Sequence, residues 1–145
     1  MRILVLSDSH RREVEINPKR YDYVIHCGDY GSRIPPQGVL FVRGNCDKEG
    51  PKELCEEIGG RRVYITHGNL YQVKYGYDRL CYRAMELGAG ICFFGHTHRP
   101  DMFIHENIVF INPGAYQDGY YVLIEDNSIG FYLDKKCYKK FDFKW

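Results

Sequence analysis

Short aliphatic runs recur along the chain, and each ends in a turn that carries glycine, aspartate or histidine. Arg2 to Ser7 is almost wholly aliphatic and predicts a first strand covered on both faces in a parallel sheet. Tyr21 to Cys27, Val39 to Arg43, Arg62 to Thr66 and Gly90 to Phe94 predict four more strands. The connections after the first two are clipped. Arg11 to Arg20 is polar, with Pro18 near its end, and has room for a vestigial helix at most. Tyr30 to Gly38 holds Pro35-Pro36 and excludes a helix of useful length. Pro51 to Ile58 predicts one or two helical turns, with Pro51 at the first position and a break at Gly59-Gly60. Tyr77 to Leu87 predicts the best helix: Leu80, Ala84 and Leu87 follow helical spacing, and Gly88 suits the C-terminal cap.

After residue 100 the pattern changes to short strands with polar turns. Asp101 to His105 with Ile108 to Asn112, and Tyr120 to Glu125 with Ser128 to Leu133, predict antiparallel hairpins turning at Glu106-Asn107 and Asp126-Asn127. Lys135 to Trp145 predicts an edge strand with lysines on its wet face. The fold class expected is α/β, in a single domain over residues 1–145, with a parallel first half and a hairpin-rich second half. Tyr23-Val24-Ile25 and Val39-Leu40-Phe41-Val42 are apolar on both faces, yet the clipped connections supply no good covering helices. An exposed apolar face is therefore expected there, covered by a second copy in a homodimer or by a partner protein. The alternative is that loops and tyrosines 21, 23 and 30 cover it.

Composition narrows the function. Hydrophobic residues make up 44% and charged residues 27%, as in an ordinary globular protein. A net charge of +1 gives no support to a nucleic-acid or anionic-membrane surface. The N-terminal apolar run is too short for a signal peptide, and no stretch approaches a membrane span. The six cysteines contain no Cys-x-x-Cys pair and are read as reduced thiols in a cytoplasmic protein.

The candidate chemistry lies in the loops. Gly95-His96-Thr97-His98 leaves the end of a buried strand, and in an extended backbone its two imidazoles share a face. Four other strand ends carry Asp8 and His10, Asp29, Asn45, and His67. In a parallel sheet such loops converge at the carboxyl ends of the strands. His26 lies within a strand and is expected to be a hydrogen-bonded core histidine. Imidazole with carboxylate suits borderline divalent metals: manganese first, with nickel, iron, cobalt or zinc as alternatives. Asp8, His10, Asp29, Asn45, His67, His96 and His98 are too many ligands for one ion. They are about right for two ions that share a bridging carboxylate, the arrangement that activates water and clamps a phosphoryl group.

Asp-x-His, Gly-Asp, Gly-Asn-x-Asp, His-Gly and Gly-His-x-His occur in an order that resembles the calcineurin-like metallophosphoesterase superfamily, most closely its small microbial phosphodiesterase branch. The resemblance implies a sandwich of two mixed β-sheets flanked by helices. It implies that Asp8, His10, Asp29 and His98 hold one metal, and Asp29, Asn45, His67 and His96 the second, with Asp29 bridging. The expected catalytic residues are Asn45, Cys46, Asp47 and His67, acting on a small phosphoester. A dinuclear phosphodiesterase is the leading expectation. A phosphomonoesterase and a non-catalytic protein-binding scaffold, as a retromer coat subunit of similar fold is, are the alternatives. Two positions depart from the family. Cys46 stands where most members have histidine, and a thiol of ordinary pKa about 8.5 is a poorer proton donor at neutral pH than imidazolium. Ala115 ends Asn112-Pro113-Gly114-Ala115, a loop that usually ends in serine.

Overall fold

The computed structural model describes residues 1–145. Eleven strands form two sheets. The first sheet contains β1 (Ile3–Leu6), β2 (Tyr23–His26), β3 (Val39–Phe41), β9 (Tyr120–Glu125), β10 (Ser128–Leu133) and β11 (Lys136–Asp142). Its order is β11-β10-β9-β1-β2-β3, with β1, β2 and β3 parallel and the rest antiparallel. The second contains β4 (Glu53–Ile58), β5 (Arg61–Thr66), β6 (Ile91–Phe93), β7 (Asp101–His105) and β8 (Ile108–Asn112), in the order β4-β5-β6-β8-β7. Here β5, β6 and β8 are parallel, while β4 and β7 are antiparallel edges.

Period-two alternation explains why the aliphatic runs stack as they do. Ile3 and Val5 of β1, Val63 and Ile65 of β5, Ile91 and Phe93 of β6, and Val109 and Ile111 of β8 face inward and fill the space between the sheets. Tyr64, Cys92 and Phe110, the alternate residues, face the other way and pack on Leu80, Cys81 and Ala84 of the one α-helix, α1 (Asp78–Glu86). That helix ends as Gly88 predicts. Gly88 takes a φ of 67°, its N–H donates to Met85 O, and the Ala89 N–H donates to Ala84 O. The remaining helical pieces are single 3₁₀ turns, so the expected flanking helices reduce to one. No helix is long and apolar enough to cross a membrane.

Two sequence expectations need correction. Glu53–Ile58 is a strand, not helical turns. Gly59 and Gly60 both have positive φ and form a two-residue hairpin turn, which pairs Ile58 with Arg61 and Glu53 with Thr66. Pairing with β5 overrides the helix-start signal at Pro51. The apolar face of β1–β3 is also not bare. Leu4, Leu6, Val24 and Val39 are each no more than 9% exposed. Val14 and Ile16 from the clipped connection, with Tyr21, Phe41, Tyr116 and Tyr121, lie over them. The chain's own loop and aromatics cover the sheet, which removes the motive for a dimer at that face. The C-terminal strand β11 is an edge, with Lys136, Lys139 and Lys140 in solvent.

Candidate metal centre

All seven predicted ligand positions come together at one end of the sandwich. Asp8 and His10 follow β1, Asp29 follows β2, Asn45 follows β3, His67 follows β5, and His96 and His98 follow β6. The turns are sharp. Asp8, His10, Asp29, His96 and His98 account for five of the eleven non-glycine residues with positive φ, a costly conformation that clusters at functional sites. Five of the other six lie in hairpin turns, where such backbone is ordinary.

Glycines make the loops fit together. A Cβ on Gly44 would lie 2.1 Å from Asp29 Oδ1, and one on Gly95 would lie 1.9 Å from Ser7 Oγ and 2.7 Å from Asp8 Oδ2. Gly95→Ala is therefore expected to push Ser7 and Asp8 aside and to cost about 1–3 kcal/mol, the usual range for overpacking. Denaturant unfolding of the metal-free protein measures it, and an unchanged midpoint would contradict the packing described.

Two imidazole pairs face the centre. His10 Nε2 and His98 Nε2 are 3.2 Å apart, and so are His67 Nε2 and His96 Nδ1. Asp8 Oδ1 lies 3.3 Å from His98 Nε2, 3.7 Å from His10 Nε2 and 3.8 Å from His67 Nε2. That oxygen is buried and has no hydrogen-bond donor. The other oxygen, Oδ2, is held by Ser7 Oγ at 2.6 Å and by the His96 N–H at 3.1 Å. Asp29 Oδ2 lies 3.1 Å from His67 Nε2, and Asn45 Oδ1 lies 3.1 Å from the same nitrogen. Lone pairs held about 3 Å apart around a common point are what a cation with ligand distances near 2.1 Å requires. His67 Nδ1 donates to Cys27 O at 2.8 Å, so Nε2 is the nitrogen turned to the cluster, and it gives up its proton when it ligates.

The electrostatics agree. Burial raises the Asp8 carboxyl above its ordinary value, against the pull of His67, the Ser7 hydroxyl and His98. Burial alone would lower His67, but its hydrogen bond to Asp29 and the charges of Asp8 and Asp29 hold it above the histidine range. Burial would likewise raise Asp29, yet His67 and the Cys46 amide bring it down to about 2. Burial and the neighbouring His67 lower His96 to about 4, which keeps it neutral. A buried pair of carboxylates here calls for positive charge, and the donor set fits divalent metal ions. Three groups satisfy metal-ligand spacing: Asp8, His10 and His98; Asp29, His67 and His96; and His10, Asp29 and Cys46. Asp29 belongs to two of them.

Asp47, expected among the catalytic residues, is occupied by backbone amides. Its Oδ2 accepts the N–H groups of Asp29 at 2.7 Å and Gly44 at 2.6 Å, and its Oδ1 accepts that of Gly31 at 2.8 Å. It positions the two loops that carry Asp29 and Asn45. His26 is the core histidine expected: its Nδ1 accepts the Gly28 N–H at 3.0 Å, so Nε2–H donates to Ser9 Oγ at 2.8 Å. Burial, reinforced by His67, lowers His26 to about 3. Cys46 is exposed at the rim, and what burial it has, with Asp29 beside it, raises its thiol.

Sequence reading missed three supports. Buried Asn112 donates to Gly95 O at 3.2 Å and Thr97 Oγ1 at 3.0 Å, fixing the Gly-His-Thr-His loop. Ser7 braces Asp8, and Gln117 Nε2 reaches within 3.5 Å of His98 Nδ1. The Asn112-Pro113 step was a visible signal for the first. Nothing in the sequence marks the other two. A cleft of about 740 Å³ is lined by His10 and Cys46 together with Gln117, Ile34, Lys48 and Glu49.

Two mixed sheets with an Asp/His cluster at their strand ends define a metallophosphoesterase-type fold and site. The chain belongs to the calcineurin-like phosphoesterase superfamily, whose domain profile matches residues 1–123. A probable metallophosphoesterase, YsnB of Bacillus subtilis, is 38% identical over 126 residues, covering 79% of this chain and 75% of that protein. Phosphodiesterase MJ0936 of Methanocaldococcus jannaschii is 27% identical over 145 residues, covering 79% and 83%. The crystal structure of a predicted phosphoesterase from Streptococcus pneumoniae superposes with a TM-score of 0.84 at 30% identity, covering 97% of each chain. Zinc-complexed Vps29 from Entamoeba histolytica shares the fold, with a TM-score of 0.76 at 24% identity over 99% of this chain and 100% of that one.

Proposed function

We propose that this metallophosphoesterase hydrolyses phosphodiesters at a centre that holds two divalent ions, manganese foremost. The observation that carries the reading is the placement of Asp29, which shares one ligand group with His67 and His96 and another with His10. Asp8, His10, Asp29 and His98 would hold one ion, and Asp29, Asn45, His67 and His96 the other. Two ions so held would lower the pKa of water and neutralise charge on a transferring phosphoryl group. The chain's own groups do the rest. Cys27 O fixes the His67 tautomer, and Asp47 sets the loops that present Asp29 and Asn45. Cys46 lines the cleft beside His10, where it could face a leaving group. MJ0936, a relative named as a phosphodiesterase, supports the diester preference. A binding scaffold needs no strained, fully filled ligand set, and no observation favours one.

The test is to strip the protein of metal and reconstitute it separately with manganese, nickel, iron, cobalt or zinc. Each form is then offered a panel of phosphodiesters and phosphomonoesters. Diester turnover that depends on added ion, and is highest with manganese, is expected. Hydrolysis of neither class with any ion would overturn the reading.

A further inference from the structure

Cys46 places a thiol inside the ligand field. Its Sγ, a ring nitrogen of His10 and a carboxylate oxygen of Asp29 all lie within 4.8 Å of one another. The geometry is constrained rather than incidental. The Cys46 N–H donates to Asp29 Oδ1 at 2.9 Å, and Asn45 Nδ2 reaches Sγ at 3.5 Å. The unpartnered, buried Asp8 Oδ1 lies 3.7 Å from His10 Nε2, in the adjoining ligand group that His10 shares. Cys46 is the exposed thiol among the six and has no disulfide partner, so an ion arriving through the cleft meets it directly.

We propose that His10, Asp29 and Cys46 form a thiophilic metal site at the mouth of the centre, one that captures a soft divalent cation such as cadmium or zinc and displaces the arrangement used for hydrolysis. Thiolate favours soft and borderline ions, whereas manganese is better served by carboxylate and imidazole alone. On capture a sulfur–metal bond forms and the thiol proton leaves to solvent. Because His10 and Asp29 serve both arrangements, soft ions compete with manganese instead of adding to it. The inference rests on the proposed metal-dependent function for where the ions sit.

The experiment is a cadmium chloride titration of the full chain, dialysed free of other metal and without substrate. A thiolate-to-metal charge-transfer band in the near ultraviolet is expected to rise in the native protein and to be absent in Cys46→Ser. Cadmium affinity in that variant is expected to fall by at least the roughly 10–100-fold that loss of an outer-shell partner costs. In native protein, cadmium is also expected to shield Cys46 from iodoacetamide, read by peptide mass spectrometry, a measurement that needs no variant to fold. A band of equal size in Cys46→Ser, no band in native protein, or unhindered alkylation of Cys46 would each overturn the proposal. No substrate enters these readouts. A protein that shows the band but hydrolyses nothing keeps this site and loses the phosphodiesterase reading, and the reverse result does the opposite.

Discussion

Asp29→Ala is expected to abolish hydrolysis, with a loss on the order of a thousandfold or more, at least that of removing a main electrostatic element of an active site. The same change is expected to lower metal content at both positions. The reason is geometric. Asp29 lies 3.1 Å from His67 through Oδ2 and shares a ligand group with His10 on the other side, so one deletion reaches both halves of the centre. His98→Ala, by contrast, removes a ligand from one half only, and is expected to spare metal at the Asn45, His67 and His96 side. Alanine at 29 also leaves the Cys46 N–H without its acceptor. Asp29→Asn keeps the size and an acceptor oxygen, and separates loss of charge from loss of shape. Elemental analysis of the three variants beside native protein measures the effect. Equal metal loss in Asp29→Ala and His98→Ala would contradict the bridging role.

A second large effect is expected in leaving-group dependence. Asp29, Asp47 and Asp8 add to what burial Cys46 has and keep its thiol above the ordinary range, so it gives up a proton poorly at neutral pH. Nitrophenyl phosphodiesters are therefore expected to turn over far faster than alkyl ones. Cys46→His places an imidazole at the same rim, and general acid catalysis is typically worth about 10²–10⁴-fold. The variant is expected to raise alkyl-ester rates far more than nitrophenyl rates and so to narrow the gap. Steady-state rates across a series of leaving-group pKa values, with the chemical step limiting, give the slope. A slope near zero in native protein would contradict the account.

Much of this centre was legible because its chemistry sits in local patterns. Gly28-Asp29 marks a tight inward turn, which the structure keeps. His96 and His98 do reach the cluster, but through left-handed backbone at both positions rather than the extended backbone expected, and they join different ligand groups. The inner and outer faces of β1, β5, β6 and β8 follow from alternation alone. What was not legible depends on partners distant in the chain. Asp47 reads as one more carboxylate beside Asn45, and only the approach of the residue 28–31 loop converts it into an acceptor of three amides. Asn112 gains its role from Gly95 and Thr97, seventeen and fifteen positions away. Glu53–Ile58 was misread because Pro51 is a local signal, while the strand partner lies across Gly59-Gly60. The sequence leaves the face of β1–β3 open between a partner and the chain's own loops; Val14 and Ile16 of the connection, with Tyr21, cover it, which the polar run between them does not announce.

The central claim is a two-ion centre bridged by Asp29. Crystals of protein reconstituted with manganese, with anomalous scattering recorded across the metal edge and metal content measured on the same preparation, test it most directly. The account predicts two anomalous peaks about 3.5–4 Å apart, the spacing of two-metal sites, with a carboxylate oxygen of Asp29 contacting both. A single peak in fully reconstituted protein, or two peaks with Asp29 turned away from one of them, would contradict it.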